Sequence, residues 1–300
     1  MTTGRFAPSP TGALHLGNLR TALVAWLAAR SVGGRFLVRM EDLDQVVSDP
    51  VHEAGQLADL EALGLDWDGE VVRQSERRDR YDAAITRLDE MGLVYDCFCS
   101  RKEILSASAA PHGPSPEGAY PGTCRELTAV QRSARVADGR RPAKRLRTDG
   151  RVVEVFDALH GPFAAVVDDL VLRRNDGTPA YNLAVVVDDA AQGVDQVVRG
   201  DDLLPSTPRQ VHLGRLLGLP TPSYVHVPLV LNRSGVRLAK RDGAVTLADR
   251  LELGEDAVAV RSMLAGSLGL CEAGERPSTA DLLQRFRVEQ LPTTPWPFEG

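Results

Sequence analysis

Arg5-Phe6-Ala7-Pro8-Ser9-Pro10-Thr11-Gly12-Ala13-Leu14-His15-Leu16-Gly17-Asn18 opens this 300-residue chain and decides how the rest is read. Pro8 and Pro10 enforce non-helical backbone, and Gly12 permits a tight turn. Leu16, Leu19, Leu23 and Leu27 then recur with helical spacing, so the stretch reads as strand, turn and helix start. A helix N-terminus offers unpaired N–H groups and the positive end of a dipole. His15 and the small Gly17 at that position suit a triphosphate lying across the turn. A lone His-x-Gly also fits an ordinary strand-to-helix connection with a surface histidine; the whole string is far more specific.

Working outward, Arg35 to Met40 reads as a strand ending in the acidic Glu41-Asp42-Leu43-Asp44. Pro50 starts a helix with Ala54, Leu57 and Leu60 on one face, and Tyr81, Ile85 and Leu88 mark another, stopped by Gly92. This alternation predicts an α/β fold with a mostly parallel, Rossmann-like sheet and a ligand site beyond the carboxyl ends of its strands. The pattern breaks where cysteines, a Pro/Gly/Ser-rich stretch (Ala110 to Gly122) and a basic run (Arg140 to Arg147) intervene. It resumes at Pro179 with Tyr181 to Val187, read as a strand, then Gln196 to Arg199, a helix around Leu213 to Leu217, and a strand from Val225 to Leu231. Val260, Met263, Leu264 and Leu268, and a capping box at Ser278 and Asp281, predict closing helices. The expected organisation is a catalytic core in two halves, 1–96 and 179–245, an inserted subdomain at 97–178 and a small helical region at 246–300.

The composition is globular: 43% hydrophobic, 25% charged, net charge -6. That balance argues against a sequence-blind nucleic-acid coat, although a local basic face is compatible with it. No charged leader with an apolar stretch begins the chain and no apolar run is long enough to span a membrane, so the expectation is a soluble, cytoplasmic protein with no membrane association and no evident protein partner. Of 35 basic residues only Lys102, Lys144 and Lys240 are lysine. A lysine is therefore an exception here, and its compact point charge suits phosphate contact.

Cys97, Cys99 and Cys124 gather three of the four cysteines in one short region, which in a chain expected to be cytoplasmic favours metal over disulfide. Three thiolates leave a tetrahedral zinc one ligand short. His112 and Tyr120 both stand nearby, and an imidazole is the more ordinary donor. Cys271 stands apart and reads as a plain thiol.

The opening string resembles the first signature of class I aminoacyl-tRNA synthetases in the form of the glutamyl and glutaminyl branch. The later run Arg237-Leu238-Ala239-Lys240-Arg241 resembles the second signature, Lys-Met-Ser-Lys-Ser, keeping only the lysine of its fourth position. The resemblance implies that Glu41 receives the α-amino group of an amino acid beside Ala7 and Ser9. It also implies that Arg5 and Arg199 take a side-chain carboxylate, and that Tyr181 contacts the amino acid. His15, Gly17, Asn18 and Lys240 would serve ATP, with His15 and Lys240 catalytic and Mg2+ accompanying the nucleotide. The spacing Cys-x-Cys followed by Tyr-x-x-x-Cys is similar to the zinc site of a short paralogue family, the glutamyl-Q tRNA(Asp) synthetases, and so favours Tyr120 as fourth zinc ligand. Val185, and the run Asp202 to Gln210, also look like the short family, as does a chain ending without an anticodon-binding region. That family implies L-glutamate and ATP as substrates and queuosine-modified tRNA(Asp) as acceptor, glutamate being activated without tRNA. The basic run Arg140 to Arg147 is then a candidate tRNA-backbone surface. Two alternatives stand beside this reading: charging of a tRNA 3′ end with a recognition partner, and a non-catalytic RNA- or adenylate-binding module.

Overall fold

In a computed structural model, residues 1–108, 120–238 and 245–299 are described. The first half runs β1 (Thr3–Phe6), α1 (Leu16–Arg30), β2 (Arg35–Met40), α2 (Pro50–Ala62), β3 (Val72–Arg73) and α3 (Arg78–Glu90). It is followed by β4 (Val94–Cys97), α4 (Arg101–Ser108), α5 (Ala129–Ala137), β5 (Ala143–Leu146), β6 (Val152–Asp157), β7 (Gly161–Val166) and β8 (Val171–Arg173). Then come α6 (Tyr181–Ala191), β9 (Gln196–Gly200), α7 (Thr207–Leu216), β10 (Ser223–Val227) and β11 (Val230–Leu231). The last elements are α8 (Leu247–Glu252), α9 (Ala257–Gly266), α10 (Thr279–Arg285) and β12 (Trp296–Pro297).

Seven strands form the main sheet in the order β3-β2-β1-β9-β10-β6-β7. All pairings are parallel except β6 with β7. From β1 the chain crosses through α1 to β2 on one side, while β9 lies on the other, so the strand order reverses at β1. Open α/β sheets bind ligands at such a point. The opening string follows β1, Glu41 follows β2, and Arg199 lies at the end of β9, all on one edge.

The helix α1 is the centre of the larger core. Leu16, Leu19, Leu23 and Leu27 are fully buried, as are Ala22, Val24 and Ala25, so this helix is apolar nearly all round, as expected of one covered on every side. Each such leucine contributes roughly 1.5–3 kcal/mol by leaving water. Arg20 is buried within it, donating to Ser267 Oγ at 2.9 Å and to the Pro228 carbonyl at 2.8 Å. Burial holds its guanidinium down at about 10, only partly offset by the field of Asp201.

Two expectations are corrected. Tyr181 to Val187 is the start of α6 and not a strand. Its buried positions are Leu183, Ala184, Val185, Asp188 and Asp189; two buried places carry aspartates, which hides the helical period and leaves a β-branched run to be misread. Second, the β6–β7 hairpin falls inside the stretch 97–178 but extends the main sheet, with Asp157 opposite Tyr224 of β10. The separate small sheet is antiparallel, in the order β4-β5-β8, and takes most of β4 from just before that stretch. The helical expectation for the C-terminal region holds: Ser278 and Asp281 form the reciprocal cap of α10. None of the helices among the described residues is long and apolar enough to cross a membrane.

Candidate active site

A cavity of about 570 Å³ opens at the carboxyl edge of the sheet, within the size range of small-molecule sites. Its walls carry Arg5, Ala7, Ser9, His15, Gly17, Asn18, Glu41, Tyr181 and Arg199, which the sequence reading placed together. Lys240 lies outside the described residues. The chain on either side of it is anchored at the cavity: Leu238 N–H donates to the Val230 carbonyl at 2.9 Å, and Val245 C=O accepts from Leu16 N–H at 2.7 Å. Arg237 pairs with Asp202, and both line the cavity.

His15 is the N-cap of α1. Its Nδ1 accepts from Asn18 N–H at 3.2 Å, and Asn18 Oδ1 accepts from His15 N–H at 3.3 Å, a reciprocal cap. An accepting Nδ1 leaves the proton of the neutral ring on Nε2. Gly17 is required by this arrangement, because a Cβ there would lie 2.9 Å from His15 Cε1. Gln56 of α2 ties down the turn before it: Nε2 donates to the carbonyls of Ser9 at 3.0 Å and Gly12 at 2.7 Å. The sequence reading missed this glutamine, which is buried at a position that looks like an ordinary polar helix residue.

Charge is arranged in two ways around the cavity. Arg5 donates to Asp189 Oδ1 at 3.2 Å and to the Val198 carbonyl at 3.1 Å, and Asp189 also takes Arg39 Nη1 at 2.7 Å. Burial raises the Asp189 carboxyl, but Arg5 and Arg39 outweigh it and hold it below its ordinary value. Arg39 is fully buried; burial works against its charge, while Asp189, Glu41 and Asp188 overcome this and raise it. Asp188 in turn accepts from Arg77 Nε at 2.6 Å, Tyr81 Oη at 2.7 Å and Gln74 Nε2 at 2.9 Å. This network was not legible in the sequence. Glu41 is the opposite case: burial lifts its carboxyl above the ordinary value despite Arg39 at 3.4 Å and the field of Arg5. A carboxylate whose own cations leave it destabilised is suited to an incoming ammonium.

The cysteine cluster lies apart, where β4 ends. Cys97, Cys99 and Cys124 place their sulfurs within 4.8 Å of one another, and Tyr120 Oη stands 3.3 Å from Cys97 Sγ and 3.8 Å from Cys99 Sγ. Zinc–sulfur bonds of ~2.3 Å give tetrahedral sulfur–sulfur edges of ~3.8 Å, against 3.5 Å between Cys99 and Cys124. The donor set therefore fits a tetrahedral ion; His112 lies outside the described residues. Burial, with the hydrogen bond to Cys124, pushes the Cys99 thiol up to about 12. The basic run nearby is largely engaged within the protein. Lys144 pairs with Asp96 at 2.8 Å, Arg140 with Glu103 at 3.1 Å and Arg147 with Glu126 at 2.6 Å, while Arg145 is buried over the Tyr120 ring.

Sheet order, the capped helix behind the opening string, and Leu238 and Val245 bound beside the cavity define a nucleotide-binding domain of the class I aminoacyl-tRNA synthetase type. Residues 1–275 match the family described as tRNA synthetases class I (E and Q), catalytic domain. Over 293 residues the chain is 62% identical to a glutamyl-Q tRNA(Asp) synthetase of Nocardia farcinica, covering 98% of this chain and 92% of that protein. A glutamyl-Q tRNA(Asp) synthetase of Symbiobacterium thermophilum is 47% identical, with 98% and 95% covered. Among solved structures, a glutamate tRNA ligase from Elizabethkingia meningosepticum in complex with its amino acid gives a TM-score of 0.85 at 29% identity, covering 99% of this chain and 67% of that one. The chain belongs to the class I glutamyl and glutaminyl synthetase family and, within it, to the glutamyl-Q tRNA(Asp) synthetases. It is accordingly an ATP-dependent ligase of the aminoacyl-adenylate-forming kind.

Proposed function

We propose that the protein activates L-glutamate with ATP, without needing tRNA, and transfers the glutamyl group to the queuosine base at the wobble position of tRNA(Asp) in the cytoplasm. The observation that carries the first half is one cavity holding a destabilised carboxylate, Glu41, together with two buried guanidiniums, Arg5 and Arg199, beside a capped helix N-terminus. Glutamate has a matching charge for each: Glu41 takes the α-ammonium beside Ala7 and Ser9, and Arg5 and Arg199 take the side-chain carboxylate, with Tyr181 on the wall. The α-carboxylate attacks the α-phosphate of ATP, a P–O bond forms, and pyrophosphate leaves. The protein's contribution is positioning and charge neutralisation. His15, Gly17 and Asn18 hold the triphosphate at the start of α1, Lys240 neutralises the leaving side, and Mg2+ enters with the nucleotide. Zinc held by Cys97, Cys99, Cys124 and Tyr120 would supply a structural cross-link between the end of β4 and the chain before α5.

The acceptor half is supported by the 62% identity to a glutamyl-Q tRNA(Asp) synthetase along nearly its whole length. Charging of a tRNA 3′ end is the second reading, favoured by the likeness to a glutamate tRNA ligase. Exchange of labelled pyrophosphate into ATP, run with glutamate and no tRNA, tests the activation step. Glutamate-dependent exchange supports it, and exchange that appears only with tRNA rejects it.

A further inference from the structure

Arg199 is buried, yet the groups its guanidinium donates to among the described residues are all neutral. Nε donates to His226 Nε2 at 3.0 Å, Nη1 to Gln210 Oε1 at 2.7 Å and Nη2 to Thr207 Oγ1 at 2.8 Å. The Gln210 amide is oriented by its own Nε2, which donates to Asn182 Oδ1 at 3.0 Å. Three of the five N–H donors of an arginine are thereby used, leaving one on each Nη. Arg5 and Arg39, by contrast, share the carboxylate of Asp189.

His226 can accept from Arg199 only because of what stands behind it. Asp157, at the end of β6, is fully buried and takes His226 Nδ1 at 2.6 Å and the His226 backbone N–H at 2.9 Å on Oδ2. The backbone N–H groups of Leu159 and His160 each donate to its Oδ1 at 3.0 Å. A carboxylate so placed requires a proton on Nδ1, and Nε2 of a neutral ring is then an acceptor. Burial lowers the basicity of His226 and outweighs the hydrogen bond it donates to Asp157, with Arg199 adding in the same direction. Burial raises Asp157, but the bonds from His226, His160 and Leu159 bring it below its ordinary value.

We propose that Asp157 and His226 are positioning residues for specificity: they hold Arg199 by a neutral acceptor, fixing its direction while leaving its charge for the side-chain carboxylate of the amino acid substrate. A carboxylate in direct contact would fix the arginine equally well and cancel the charge that distinguishes an acid from an amide. The inference rests on the assignment of Arg199 to the substrate carboxylate, so its test separates the two.

KM and kcat for glutamate, glutamine and ATP would be measured by pyrophosphate exchange for Arg199→Met, His226→Glu, His226→Gln and Asp157→Asn, with thermal melting on each. The His226→Glu variant should raise KM for glutamate at least tenfold, as loss of a charged hydrogen bond implies. It should leave KM for ATP within about twofold and shrink the preference for glutamate over glutamine. His226→Gln, which keeps a neutral acceptor, should stay within about fivefold of the parent. Asp157→Asn, which frees the tautomer, should fall between. If Arg199→Met leaves KM for glutamate unchanged, the assignment of Arg199 itself fails. If Arg199→Met raises KM but His226→Glu keeps the parent's KM and selectivity, or all variants lose glutamate and ATP affinity in parallel, the positioning role is overturned.

Discussion

Replacing Asp189 by asparagine removes one negative charge while keeping shape and an acceptor oxygen, and so isolates the electrostatic work of the buried network. Asp189 lies 2.7 Å from Arg39 Nη1 and 3.2 Å from Arg5 Nε. Arg39 has no exposed surface and cannot recover hydration. Losing a partner from a buried ion pair typically costs 3–5 kcal/mol. The lower end applies here, because Glu41 at 3.4 Å and Asp188 at 4.0 Å remain, as does an acceptor on the asparagine. Unfolding entropy of ~2.1 cal/mol/K per residue gives ~0.63 kcal/mol/K over the chain, so a loss of ~3 kcal/mol lowers Tm by ~5 °C. Scanning calorimetry on Asp189→Asn at neutral pH checks this, with KM for glutamate rising in parallel as Arg5 loses its anchor. The pH dependence has a definite sign. The native carboxyl is held below its ordinary 3.8, so its contribution is present above that pH and is lost as pH falls through the lower native value. The gap in Tm between parent and variant should therefore close under acid. A Tm within 1 °C of the parent at pH 7, with KM unchanged, would refute the reasoning.

The remaining predictions concern the two ends of the cavity and the cysteine cluster. Gly17→Ala sets a methyl 2.9 Å from His15 Cε1, displacing the ring, and should cut kcat for exchange by roughly tenfold with little change in glutamate KM; unchanged kcat would mean His15 does not act from its capped position. Lys240→Ala should reduce glutamate-dependent exchange by about 10²–10³-fold with an unaltered melting curve, and a parent-like rate would remove Lys240 from the mechanism. Cys99→Ser should lower bound zinc, read by elemental analysis after dialysis, from one ion per chain towards none while pyrophosphate exchange continues; full zinc retention would show that Cys99 is not a ligand.

The cavity was legible in the sequence to the extent that its residues sit in short, ordered strings. Arg5 to Asn18 carry strand, turn and helix cap in one stretch, Glu41 follows one recognisable strand and Arg199 lies at the end of another, so a parallel sheet alone brings them to one edge. What holds those residues was hidden, because it depends on side chains that cross between elements. Asp188 and Asp189 reach Arg39 and Arg5 from a helix whose polar buried face made Tyr181 to Val187 look like a strand. His226 and Asp157 meet only because β6 lies beside β10, although one belongs to the stretch read as an insertion. Gln56 has no neighbour in sequence that marks it as buried. Arg145 sits in a run of cations that reads as a candidate tRNA-backbone surface, whereas the fold lays its side chain over Tyr120.

The central claim concerns where the activated glutamate goes, and one measurement addresses it directly. The protein is incubated with labelled glutamate, ATP and tRNA(Asp) that contains or lacks queuosine, and the RNA is digested to locate the label. Label on the anticodon nucleoside, only in the queuosine-containing tRNA, is the predicted result. Label at the 3′ terminus, or label independent of queuosine, would contradict the account.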